Sequence, residues 1–382
     1  MRLVLALILL LAAPAGAQTC LPEDLPPVAA CTGARLRLAF VGDVLVHEAL
    51  AVRGYARGFG TIWGAAEPWL RRADLAIANL EGPVAPGLTA GGRHLPDPGP
   101  VFDGRVYSEY PRFNYHPSLL ADLARAGIDV VTTANNHAQD RGGAGVGATQ
   151  AALEAAGIAA VGGVVPGGPR WQPFRLRTRL GPLSLIACSF STNGIADPGR
   201  QIPRCYDDRA GLLAAVRAEV GAGAGVIVLP HWGQEYQTRP DGAQRALARD
   251  LAAAGALAVI GTHPHVPQPW EVLDSPLGPT LIVYSTGNFI AAQPPLERAT
   301  APMVWLDLCR GASGMRVGGA AYLPMQMSFE RGPVLTLPRP GDGARAEAGL
   351  ALLARLVPGR ALSADCRSLA RPSAPPIPQD RP

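Results

Sequence analysis

Five short polar clusters hold the residues of this sequence best suited to chemistry. They are GDVLVH at 42–47, NLEGPV at 79–84, TANNHAQDRG at 133–142, LPHWGQEY at 229–236 and GTHPHVPQ at 261–268. Together they offer two carboxylates (Asp43, Glu81), the amide of Asn136 and the imidazoles of His231, His263 and His265, with no cysteine among them. A mixed nitrogen and oxygen set suits Zn, Mn or Fe and suits an all-oxygen Ca or Mg site poorly. One or two divalent transition-metal ions are therefore the expected cofactor. Taken singly, each cluster has a plainer meaning: Asp43 as a turn cap, Asn135 and Asn136 as turn formers, His231 as a buried histidine. Five of the seven histidines (His47, His137, His231, His263 and His265) nevertheless fall in these clusters, which favours a shared site; His94 and His116 lie outside and receive no role.

Each cluster follows an apolar run of strand length. Residues 35–41, 74–79, 128–133, 183–188, 225–229 and 257–260 read as strands, and 118–126, 145–156 and 242–254 as helices. Such alternation predicts an α/β fold with buried, mostly parallel strands. Sites in open α/β sheets form at the carboxyl ends of strands, so five clusters at five strand ends should converge on one crevice. From 280 to about 329 the pattern changes, and 281–284, 304–309 and 319–327 suggest further strands, as a second sheet or an antiparallel extension.

With YSTGNF at 284–289, the motifs in order resemble those of the CapA family, the capsule or poly-γ-glutamate biosynthesis proteins related to calcineurin-like metallophosphoesterases. The resemblance runs from 42 to 289 and is far more specific than any single motif. It implies a four-layer α/β/β/α metallophosphoesterase-like sandwich with metal-binding loops at the strand C-terminal ends. It further implies Asp43 as the first metal aspartate, Glu81 as the bridging carboxylate, and Asn136, His231, His263 and His265 as the remaining ligands. His137 would face the substrate. The wider superfamily begins with D-x-H, where this sequence has Leu45 and offers His47 as a substitute; its G-D-x-x-D motif is replaced by Asn79-Leu80-Glu81.

If two divalent ions bind, Asp43 and Glu81 offset two of four positive charges, and the excess would attract a phosphate or carboxylate and acidify a bound water. His137, oriented by Asp140, would stabilise developing charge or protonate a leaving group. The expected reaction is metal-assisted hydrolysis or transfer at a phosphoester or at an amide of an acidic polymer such as poly-γ-glutamate. The rival is a noncatalytic envelope protein that holds an anionic polymer during assembly or export, using Arg93, Arg112, Arg141 and Arg239, with capsule-synthesis proteins as partners. Trp232, Glu235 and Tyr236 either line a substrate groove or pack under their loop. Asn288 is expected to orient a metal histidine, and Ser285 lacks the nucleophile elbow of a serine hydrolase.

Composition sets the frame. All 34 basic residues of the 382 are arginines, and against 30 acidic residues they leave a net charge of +4, too small an excess for a nucleic-acid binder. Hydrophobic residues make up 48%, enough for a large core, while 45 glycines and 38 prolines must occupy turns and long loops. Arg2, the apolar run 3–13 and the small residues to Ala17 read as a signal peptide over 1–17. Eleven apolar residues span ~16 Å, too short for a stable transmembrane anchor. The protein is expected to be exported, periplasmic or secreted, with a proline-rich lead at 18–34, one domain at 35–368 and a disordered proline-rich tail at 369–382. In an oxidising compartment the six cysteines predict three disulfides, pairing sequence neighbours: Cys20 with Cys31, Cys188 with Cys205 and Cys309 with Cys366.

Overall fold

The computed structural model describes residues 25–362 except 276, 312 and 313. The signal peptide, Cys20, Cys366 and the proline-rich tail lie outside the described residues. In chain order the first half holds β1 (Thr32–Val44), α1 (Glu48–Arg57), α2 (Gly60–Trp63), α3 (Glu67–Leu70), β2 (Leu75–Leu80), α4 (Ser118–Ala126), β3 (Val130–Thr132), α5 (Gly142–Ala156), β4 (Ala159–Val161), β5 (Phe174–Thr178) and β6 (Gly181–Ser189). The second half holds α6 (Arg209–Gly221), β7 (Gly225–His231), α7 (Gly242–Ala253), β8 (Ala258–Ile260), β9 (Trp270–Leu273), β10 (Thr280–Val283), β11 (Asn288–Ile290), α8 (Leu296–Ala299), β12 (Thr300–Gly311), β13 (Gly314–Ser328), β14 (Val334–Thr336) and α9 (Ala344–Leu356).

Two sheets form. One has the order β14-β13-β12-β1-β2-β3-β4, with β11 pairing the end of β1; the other has the order β5-β6-β7-β8-β10-β9. Strand residues alternate between faces with a period of two, and each sheet divides its side chains between two cores accordingly. In β1, Leu36, Leu38 and Phe40 enter the core between the sheets, whereas Ala39 and Val41 enter a core shared with α1 to α5. In the second sheet Leu183, Leu185, Ile227, Leu281 and Val283 face the first sheet, while Ile186, Val226, Val228 and Ile282 pack on α6 and α7. The result is the four-layer α/β/β/α sandwich. Helix boundaries follow local chemistry: Asp241 and Gln244 form a reciprocal capping box at the start of α7, and Gly127 closes α4 in the left-handed conformation.

Residues 280–329 serve both expectations. β10 joins the second sheet, and β12, β13 and β14 extend the first sheet antiparallel beyond β1. That extension overturns two of the expected disulfides. Cys31 pairs with Cys309, with Cα atoms 5.8 Å apart, because the antiparallel register of β1 and β12 sets Thr32 opposite Arg310. The pairings of Cys20 with Cys31 and of Cys309 with Cys366 are thereby excluded. Cys188 pairs with Cys205 as expected, at 5.1 Å. Among the described residues no helix is long and apolar enough to cross a membrane.

Candidate metal centre

The ladder at the end of β1 sets the first positions. Asp43 lies opposite Asn79 of β2 and Asn288 of β11, so strand register alone gathers a carboxylate and two amides. Gly42 permits this approach: a Cβ there would fall 1.7 Å from the carbonyl oxygen of Gly287. Asn79 Nδ2 donates to Asp43 Oδ1 at 2.8 Å and lies 3.3 Å from His231 Nδ1. Its own Oδ1 accepts from Thr132 Oγ1 at 2.8 Å, which fixes the orientation of the amide.

Around this ladder the candidate ligands converge. His265 Nδ1 is 3.1 Å from Asp43 Oδ2, and its Nε2 is 3.6 Å from Glu81 Oε1. His231 Nε2 stands 3.5 Å from the same Glu81 oxygen and 2.7 Å from Asn136 Oδ1. Three overlapping groups have ligand atoms within 4.8 Å of one another: Asp43, Glu81 and His265; Glu81, His231 and His263; Glu235, His263 and His265. Glu81 belongs to the first two, which is the placement of a bridging carboxylate.

Whether these residues fit a metal is answered by Glu81 itself. Its side chain is 0% exposed, yet neither carboxylate oxygen receives a hydrogen bond from the described residues, and neither does His263 Nδ1 find a partner. The nearest polar neighbours of the Glu81 carboxylate are the His231 and His265 imidazoles at 3.5 and 3.6 Å, so its lone pairs face a ring of potential metal ligands rather than hydrogen-bond donors. The donor set of carboxylate and imidazole matches Zn, Mn or Fe. The residues fit.

The field of the cluster acts on each group differently. Burial would raise Glu81, but the neighbouring imidazoles, His265 foremost, hold it below the usual carboxylate range. Burial and the adjacent Glu81 raise Asp43. Burial lowers His265, while Glu81 and the bond to Asp43 outweigh that and lift it to about 9. Burial and the two neighbouring imidazoles push His263 well down, favouring the neutral form that ligates metal. His263 and His265 both adopt positive φ, 96° and 58°, a conformation costly for side chains of this size and typical of functional loops.

His137 stands apart from the three groups. Its Nδ1 lies 2.8 Å from Asp140 Oδ2, and that oxygen also accepts the Phe113 N–H at 2.7 Å. The Phe113 ring meets the imidazole edge-on at 4.8 Å. Burial works against protonation of His137, but the Asp140 bond and the charge of Glu81 overcome it and raise its pKa. The dyad leaves Nε2 as the nitrogen available to a substrate.

The remaining sequence candidates separate clearly. Asn288 Oδ1 lies 3.0 Å from His265 Nδ1, as a ligand-orienting amide should. Glu235 is exposed at the rim, in reach of His263 and His265. His47 does not enter any of the three groups: β1 continues to Val44, Leu45 N bonds Ile290 O at 3.0 Å, and His47 is carried to the start of α1, where Ala292 N donates to its Nδ1 at 3.2 Å. Trp232 packs under its loop, donating to Tyr284 O at 2.9 Å. Arg141 is unavailable to a polymer, being 2% exposed and bonded to Leu88 O, Val106 O and Ser108 Oγ; Arg93, Arg112 and Arg239 are exposed. Sequence reasoning passed over Asn79, Thr262, whose Oγ1 lies 3.0 Å from His231 Nδ1, and Asn193, whose Oδ1 accepts from Asn136 Nδ2 at 3.2 Å. Asn79 and Thr262 both stand in the polar clusters that follow strands, and their signal is a polar residue at or just past the end of a buried strand.

Comparison with known proteins bears on the same region. The description of a family, Bacterial capsule synthesis protein PGA_cap, matches residues 37–293. The chain is 25% identical over 287 residues to the PGA biosynthesis protein CapA of Bacillus subtilis, spanning 73% of this chain and 69% of that one. It is 26% identical over 296 residues to the capsule biosynthesis protein CapA of Bacillus anthracis, spanning 71% and 63%. Among solved structures, the calcineurin-like phosphoesterase YfkN of Bacillus subtilis aligns with a TM-score of 0.37 at 14% identity, covering 84% of this chain and 96% of that one.

Proposed function

The chain belongs to the bacterial capsule synthesis protein family PGA_cap, and from that premise we propose that it is an exported, metal-dependent hydrolase of capsule or poly-γ-glutamate biosynthesis. Its substrate in this reading is a phosphoester or an amide of an acidic polymer. The observation that carries the proposal is the fully buried Glu81 carboxylate, which belongs to two groups of convergent ligand atoms with His231, His263, His265 and Asp43. Asp43, Glu81 and His265 would hold one ion, and Glu81, His231, His263 and Asn136 a second. Divalent ions there would supply Lewis-acid activation of water and neutralise an anionic group. The protein's own residues do the rest. Asn79 and Asn288 fix Asp43 and His265, and His137, held by Asp140 through Nδ1, presents Nε2 to deliver or accept a proton at the reacting group. Export is supported by the apolar run at 3–13 and the two disulfides of the described residues.

The test uses mature protein made by the secretory route. Its metal content is measured, and then hydrolysis of a generic phosphodiester and of an acidic γ-peptide, with and without chelator. Chelator-sensitive turnover of either substrate is the expected result. Absence of bound metal would overturn the metal site. Bound metal with no turnover, together with metal-dependent capture of an acidic polymer, would replace the hydrolase with a noncatalytic assembly or export module.

A further inference from the structure

Beside the candidate metal centre, the segment between β6 and α6 encloses a cavity of about 510 Å³ lined by Arg170, Ser191, Thr192, Asp197, Arg200 and Arg204 among others. The Cys188–Cys205 disulfide closes this segment at its base, where Cys205 N also donates to Ser189 O at 2.9 Å. Residues of the same segment that flank the lining ones reach the metal centre, and the lining Asp197 is tied to the loop that carries Asn136. Asn193 bonds the candidate ligand Asn136 at 3.2 Å, the Phe190 ring lies 4.2 Å from that of His263, and Gln139 Nε2 donates to Asp197 Oδ1 at 2.9 Å. The segment 190–197 therefore both contacts the metal centre and lines part of the cavity.

Three guanidinium groups and two carboxylates line this space, and the carboxylates are already taken. Asp197 accepts the backbone N–H of Gln201 at 2.9 Å and of Ile202 at 2.8 Å in addition to Gln139. Asp207 is paired with Arg204 at 3.2 Å, and Arg170 Nε lies 3.6 Å from Asp208 Oδ2. Arg200 has no side-chain partner among the described residues, and it is exposed. Its φ is 50°, in the left-handed region that few residues other than glycine, asparagine or aspartate occupy. A free guanidinium fork presents parallel N–H donors that match the paired oxygens of a carboxylate or phosphate.

We propose that this cavity is a second anion subsite, in which Arg200 holds an oxyanion on the unit of a polyanionic substrate next to the group at the metal centre. The inference rests on the reading of the metal cleft given above and adds a second contact point to it. It implies that affinity rises with the number of linked anionic units rather than with a single one.

The test is calorimetric binding to metal-loaded protein of three probes: a short γ-linked glutamate oligomer, a linear polyphosphate of similar length, and inorganic phosphate. One of the two oligomers is expected to bind Arg200→Gln at least tenfold more weakly than native protein, and Arg200→Glu more weakly still, at unchanged metal content and melting temperature. Which oligomer loses affinity identifies carboxylate or phosphate as the oxyanion. Arg217→Gln, on the exposed face of α6, controls for the loss of one positive charge and should bind like native protein. Equal oligomer affinity in native protein and both Arg200 variants overturns the subsite while leaving the metal cleft intact. Failure of all three probes, inorganic phosphate included, to bind the metal-loaded native protein defeats the reading of the cleft and the subsite with it.

Discussion

The strand-end cluster and the two long excursions beside it are held by different means. Asp43, Asn79 and Asn288 occupy facing positions of a parallel ladder, so the backbone bonds of three strands fix their spacing before any side chain acts. Residues 81–117, between β2 and α4, hold only isolated bridges, Leu88 with His94 and Ser108 with Asn114. Two buried side chains tie distant parts of this segment together, beside local bonds such as those of Asp103 to three backbone N–H groups. Asn114 donates to Ala85 O, Leu88 O and Val106 O and accepts from Ala85 N, and Arg141 reaches Leu88 O, Val106 O and Arg112 O from the other side. The segment from 189 to 204 depends likewise on the Cys188–Cys205 bridge and on Asp197. Where many backbone bonds share the load, a side chain is free to be chosen for chemistry. Where one side chain carries a loop, it is committed to structure whatever its charge suggests.

The sharpest way to test that contrast is to remove one ligand carried by the ladder, Asp43, and one carried by the loop after β8, His263. Asp43→Ala and His263→Ala are each expected to lose most of the bound metal, because each removes a donor from a buried cluster. Elemental analysis of the purified variants measures this, and both should remain folded by circular dichroism. Stoichiometric metal in both variants would end the assignment, and unfolding of both would end the contrast. The next largest effect belongs to His137, beside the candidate ligand Asn136 but outside the ligand groups. His137→Ala should keep its metal and lose turnover by roughly 10²- to 10⁴-fold. Retained turnover in steady-state assays with full metal content would remove the dyad from the chemistry.

Legibility in the sequence followed the same division. The parallel strands were visible because apolar runs of strand length end in polar clusters, and the candidate ligands were visible because their types are unusual at such positions. Arg141 misled, since a cation in a glycine-rich loop reads as solvated, and nothing in its type reveals that carbonyl oxygens from a segment some thirty to fifty residues earlier enclose it. Cys31 misled for a different reason: its partner is set by the pairing of β1 with β12, 278 residues away, which no local rule about short loops can anticipate. α6 and α9 went unread although they are no richer in alanine and glycine than α5, so composition alone does not explain it. β11, three residues long, is defined by its neighbour rather than by its own pattern.

Arg141→Ala tests the excursion side of the contrast. The substitution strands several buried carbonyl oxygens, each worth about 1–3 kcal/mol when left unpaired, with partial relief as the loop relaxes. A loss of about 2–4 kcal/mol in chemical denaturation is expected, with metal content close to native. Loss of metal without loss of stability would show that Arg141 serves the centre rather than the loop.

The smallest effects compare two asparagines that each touch a candidate ligand, one from the ladder and one from an excursion. Asn79 bonds Asp43 and approaches His231, and its orientation is locked by Thr132. Partners of this kind that orient ligands typically change metal affinity by 10- to 100-fold when removed, so Asn79→Ala is expected to weaken metal binding by that factor in competition with a chelator. Asn193 makes a single bond, to the amide nitrogen of Asn136 and not to its ligating oxygen. It also sits at positive φ, 51°, in an exposed part of its segment, so its loss removes about one ordinary hydrogen bond, worth ~1 kcal/mol or roughly fivefold in affinity. Asn193→Asp keeps an acceptor at that position and should restore most of the difference. If Asn193→Ala weakened metal binding as much as Asn79→Ala, the centre would be shaped by the excursion as strongly as by the ladder, and the division between the two regions would fail.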